Sequence, residues 1–121
     1  MDISQKISEI KALPGFQDQV GMILVHNGVV RGSSRQDKRK VQSVQVWPDQ
    51  EEIRQIQEKY SQFPGIFKVL IQAREGHFQP GEDLLYIIVA GDVRENVKQA
   101  LSQALEEAKT RAIKKEEIFM D

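Results

Sequence analysis

The residues of this chain best suited to chemistry are cations. Arg31 ends the apolar stretch VHNGVV, and Arg35, Lys38, Arg39 and Lys40 follow in the loop GSSRQDKRK. A second set, Arg94, Lys98, Lys109, Arg111, Lys114 and Lys115, runs through and past the last long helical pattern. Guanidinium and ammonium groups suit the capture of phosphate or carboxylate, and an arginine that leaves a buried strand is held rigidly enough to aim. For residues 35–40 the competing reading is a solvated loop tip whose charges oppose edge-to-edge association. For residues 109–115 it is the ordinary preference of cations for a helix C-terminus.

Bulk composition makes any such anion site local. Seventeen Lys and Arg face eighteen Asp and Glu, for a net charge of -1, which disfavours a nucleic-acid coat or a membrane-surface protein. With no cysteine, thiolate metal sites and cysteine nucleophiles are excluded. His26 and His77 are far apart without companion ligands, and no phosphate-loop, nucleophile-elbow or zinc-protease motif occurs. No metal and no cofactor are expected. The N-terminal MDISQKISEIKAL has charges throughout, and no apolar run approaches the roughly 20 residues of a membrane span, so the expected location is the cytoplasm.

The elements that must position these cations follow from periodicity. Ile3, Ile7, Ile10 and Leu13 recur at helical spacing before Pro14-Gly15. Residues 20–30, VGMILVHNGVV, predict a central strand with a bulge near Gly28. Val41, Val44 and Val46 with Trp47 predict a second, imperfectly alternating strand ended by Pro48. Asp49 caps a helix over about 50–60 that carries Ile53, Ile56 and Tyr60 on one face. FKVLIQA predicts a strand, REGHFQPGED a turn, and LLYIIVA a strand buried on both faces. Residues 93–112 form the longest helix, with Val97, Ala100, Leu101, Ala104, Leu105 and Ala108 in one stripe, and residues 113–121 are too few for another sizeable element. One α+β domain spanning residues 1–121 results, with a mixed or antiparallel sheet and flanking helices. On one straight helix Arg94 and Lys109 differ by about 60° around the axis and about 22 Å along it. A small ligand reaches both only if a symmetric dimer supplies one from each subunit.

The segments GMILVHNGVVR, DQEEIRQIQEKY, IFKVLIQAREGHFQPGEDLLYIIVAG and VRENVKQALSQALEEAKTRAIKKEE follow one another as in the large, catalytic subunit of molybdopterin synthase, which the chain resembles from about Gly21 to Glu117. The family's Gly-x-Val-Arg at the end of its first long strand is similar to GVVR, with Arg31 at the arginine and His26 where an aromatic is usual. GHFQPGED resembles the family's hairpin turn through Gly76, Phe78, Gly81 and Glu82. The family's His-Arg pair corresponds to Val93-Arg94, and its catalytic lysine to Lys109. Its second lysine, within a Pro-aromatic-Trp-Lys-Lys-Glu motif, corresponds to Lys114 if two residues are deleted, or else to Lys115. The chain lacks that Pro and Trp, and the resemblance is to a divergent, C-terminally short member.

The resemblance implies a dimeric fold of the molybdopterin synthase large-subunit kind, with a small ubiquitin-like sulfur carrier ending in Gly-Gly at each end of the dimer. It implies sulfur transfer from the carrier thiocarboxylate to cyclic pyranopterin monophosphate. Lys109 and Lys114 are then the expected catalytic residues, and Arg31, Arg94 and Lys115 the expected anion- or substrate-binding ones. Residues 35–40 become a mobile attracting rim. The other readings left open are a non-catalytic relative that binds the carrier, and a dimer that binds a phosphorylated small molecule.

Overall fold

The computed structural model describes residues 2–121. In chain order they form α1 (Ile3–Lys11), α2 (Phe16–Gln19), β1 (Met22–Val29), β2 (Val41–Pro48), α3 (Gln50–Ser61), β3 (Ile66–Ala73), β4 (Gly76–Phe78), β5 (Asp83–Gly91), α4 (Arg94–Glu107), a π-helical turn (Ala108–Ala112) and β6 (Ile113–Phe119). Two three-stranded antiparallel sheets result, in the orders β1-β5-β3 and β4-β2-β6. The α+β class expected from the pattern is the one observed.

The central strand of the first sheet is β5, whose uninterrupted apolar run serves two cores at once. Alternation sends Leu85, Ile87 and Val89 toward α3 and α4, and Tyr86, Ile88 and Ala90 toward α1. On α4, Val97, Ala100 and Ala104 are fully buried, as is Ala108 at the start of the π turn, and their small side chains let the helix lie close on the sheet. Asp92 precedes that helix and accepts hydrogen bonds from Val93 N at 2.6 Å and Asn96 Nδ2 at 2.9 Å. Asp49 caps α3 as expected, accepting from Glu52 N at 3.1 Å. After α3 the chain reverses at Gly65, whose φ of 79° is in the left-handed region that favours glycine.

Four expectations are corrected. Residues 20–30 do not form a central strand: among the described residues β1 pairs only with β5 and is an edge strand, with Val25 and Val29 exposed. A β-branched run is equally suited to either place, so composition alone misassigned it. The expected irregularity is present, as a register shift between Gly28 and Val29. REGHFQPGED is not turn throughout, because Gly76–Phe78 forms β4 against β2 and buries Phe78, leaving the reversal to Gln79–Glu82.

The last two corrections concern the C-terminal third. The helical pattern of 93–112 is α-helical only to Glu107 and finishes in the π turn. Residues 113–119 then form a full strand, β6, paired with β2 from Ile113↔Pro48 to Phe119↔Val41. Its charged centre, KKEE, hid it from a hydrophobicity reading. An edge strand is held by backbone ladder bonds and tolerates charge that a central strand would not.

Candidate active site

Arg31 is positioned by the hairpin turn across from it. Val30 N donates to Glu82 O at 2.9 Å and Gly81 N donates to Val30 O at 2.9 Å, fixing the backbone immediately before the arginine. The loop beyond is tied to itself: Ser34 N donates to Arg39 O at 2.8 Å, Lys38 N to Ser34 O at 3.0 Å, and Val41 N to Gly32 O at 3.0 Å. Lys38 takes φ 59° in this turn, and Arg39 lies 3.9 Å from the Phe119 ring centroid. The loop therefore divides its cations: Arg35 joins the cleft wall, while Arg39 is engaged on β6.

Lys109 leaves the π turn, a form of helix that often marks functional positions. That turn is anchored on both sides. Thr110 Oγ1 donates to Glu106 O at 2.9 Å, Arg111 pairs with Glu52 of α3 at 3.0 Å, and Asp49 N donates to Ala112 O at 2.7 Å. Ala108 and Ala112 are buried beneath it, so Lys109 is presented outward from a fixed base.

These elements enclose a cleft of about 390 Å³ between β1 and the β2–β6 ladder. Its cations are Arg31, Arg35, Lys109 and Lys115, with Glu117 as a carboxylate on the wall. Val44, Val46, Leu84 and Ile113 supply apolar surface, and His26 and Gly28 stand on the β1 side. Among the described residues no carboxylate forms an ion pair with Arg31, Lys109 or Lys115, whereas Lys59, Arg54 and Arg111 are each paired. Unpaired cations above an apolar floor favour a ligand that is anionic at one end and planar or apolar at the other.

The structure thus gathers three of the five residues singled out in the sequence. Lys115 shares its face of β6 with Ile113 and Glu117, all on the cleft. Lys114 falls on the opposite face, in a shallow depression with Trp47, Asp49 and Arg111. Arg94 begins α4, pairs with Glu95 at 3.5 Å and has a side chain 78% exposed, away from the cleft. Among the described residues no cluster of three or more His, Cys, Asp or Glu is arranged to hold a metal ion.

Sequence reasoning passed over His26 and Glu117. His26 sits in β1 opposite Ile87 with its Nε2 buried and without a hydrogen-bond partner among the described residues. Burial, and then the nearby charge of Lys109, lower its pKa below the usual histidine value and so favour the uncharged ring. A lone histidine in an apolar strand gave no signal of this. Glu117 became assignable only once β6 was a strand with alternating faces.

Comparison with solved structures gives the same fold. Molybdopterin synthase from Staphylococcus aureus superposes with a TM-score of 0.80 at 22% identity, covering 100% of this chain and 87% of that one. The molybdopterin biosynthesis MoaE protein from Burkholderia ambifaria gives 0.76 at 17% identity, covering 99% and 81%. A complex of subunits 1 and 2 of molybdopterin-converting factor from Helicobacter pylori gives 0.69 at 15% identity, covering 98% and 80%. Among curated protein sequences none matches. The sequence profile of the MoaE protein family matches residues 2–111, from α1 into the π turn that carries Lys109, and the chain belongs to that family, the large subunits of molybdopterin synthase.

Proposed function

We propose that this chain transfers sulfur in molybdopterin synthesis, as the large subunit that receives a thiocarboxylated carrier tail and acts on cyclic pyranopterin monophosphate. The observation that carries the proposal is the convergence of Arg31, Lys109 and Lys115, unpaired with carboxylates, on one cleft with apolar walls. Phosphate and thiocarboxylate are both anions, and the pterin is a planar heterocycle, so each part of the reactants has a complementary surface. The fixed cations would hold the phosphate and stabilise negative charge that develops on an attacked carbonyl oxygen. Lys109 is the reacting lysine, as proton carrier or as a transient covalent link.

Lys115 takes the assisting role that the sequence motif would have given to Lys114, because only Lys115 lines the cleft. Arg94 acts across a homodimer, since α4 separates it from the Lys109 of its own chain. The small carrier subunit, ending in Gly-Gly, completes a heterotetramer.

The test is reconstitution: purified chain, thiocarboxylated carrier and cyclic pyranopterin monophosphate, scored for the dithiolene product. Product from the native chain is expected, from an assembly whose mass corresponds to two large and two small subunits. Carrier binding without product would instead make the chain a non-catalytic carrier-binding relative.

A further inference from the structure

The cleft contains one polar atom that neither the fold nor the anion-binding role accounts for. His26 Nε2 is buried and has no hydrogen-bond partner among the described residues, and it lies beside Gly28, where an added Cβ would stand 3.6 Å from it. A buried imidazole nitrogen without a partner is costly unless a ligand or a moving side chain supplies one. Lys109 lines the same cleft and has no carboxylate partner among the described residues.

We propose that His26 is the positioning residue for Lys109: its uncharged Nε2 accepts a hydrogen bond from the Lys109 ammonium and then its proton. This inference rests on the reading of Lys109 as the reacting lysine. In the transfer one N–H bond of the ammonium breaks and one N–H bond forms on Nε2, leaving a neutral amine and an imidazolium with total charge unchanged. The amine then has the lone pair needed to bond to carbon or to take a proton from substrate. An alkyl amine is ordinarily a stronger base than imidazole by about four pH units, so proton transfer to the ring is uphill by itself. The neutral amine is therefore a transient species, and its consumption by bonding to substrate carbon draws the transfer forward.

The surroundings keep the imidazole free to accept. The charged groups that line the cleft with His26 are Arg31 and Arg35 from the loop, Lys109 from the π turn, and Lys115 and Glu117 from β6. From β5 come Leu84 and Leu85, from β2 Val44 and Val46, and the sheet-facing stripe of α4 is apolar. Burial, and then the charge of Lys109, favour the uncharged ring.

Two measurements test this. In the first, the His26 ring is titrated by NMR in the native chain and in Lys109→Gln. Removing the lysine charge should raise the His26 midpoint, and an unchanged midpoint overturns the coupling. In the second, reconstituted turnover is followed against pH for the native chain, His26→Phe and His26→Gln, each first checked for native melting behaviour. His26→Phe keeps a planar ring without an acceptor and should lower kcat roughly 100-fold, with KM within about twofold. His26→Gln keeps an acceptor that cannot titrate, so it should recover part of the rate and lose the fall in activity on the acid side. Native-like kcat and pH dependence in His26→Phe overturn the inference while leaving the synthase reading intact. Absence of product from the native chain overturns the synthase reading, and the NMR titration then still decides whether His26 and Lys109 are coupled.

Discussion

Lys114 and Lys115 differ by one position and by one face of a strand, and that difference sets what each can touch. Lys115 stands in the cleft with Lys109, and Lys114 beside Trp47. Arg31 and Lys38 form a similar contrast within the basic loop. Arg31 follows a backbone fixed by the 79–82 turn and lines the cleft, whereas Lys38 occupies the tip of a closed turn that does not. Arg31→Ala should therefore weaken binding of the pterin phosphate by at least about tenfold, the loss of one charge-assisted pair. Lys38→Ala should change it less than twofold, and equal losses by titration calorimetry would refute this division. The cationic character of the site was legible in the sequence. Which lysine faces it was not, because IKKEE has no apolar alternation from which to read a strand face.

At the scale of elements, the site depends on where α4 stops being α-helical. The π turn is tied to α3 by Arg111–Glu52, and one turn earlier Glu107 pairs with Lys59 of α3. That hydrogen bond from Lys59 is the main reason the Glu107 carboxyl lies below the usual glutamate value. A lowered folded value means that the pair stabilises the protein above the unfolded value near 4.5, and that this contribution is lost as pH falls through the folded value. Because Lys59 is half exposed the effect is small. Glu107→Gln should lower Tm at pH 7 by about 1–4 °C, and the difference should shrink as the pH is lowered below about 4. A difference that does not change with pH would contradict the assignment. The helix itself was evident from its alanine stripe, as β5 was from its apolar run. The π turn and β6 were not, since the first is set by packing against α3 and the second by backbone pairing with β2.

Over the whole molecule, two antiparallel sheets meet so that β1, β2 and β6 border one cleft, and the loop from β1 to β2 carries arginines to its rim. Arg94 belongs to the other end of α4, which is why a second subunit enters the proposed assembly. Among the described residues no helix is long and apolar enough to cross a membrane. The most direct test of the cleft as the site of sulfur transfer is single-turnover product formation in the reconstituted assembly with Lys109→Ala, Lys115→Ala and Lys114→Ala side by side. The cleft predicts that Lys109→Ala abolishes product, that Lys115→Ala slows it at least about tenfold, and that Lys114→Ala stays within about twofold of native. A native rate with Lys109→Ala, or a greater loss with Lys114→Ala than with Lys115→Ala, would contradict it.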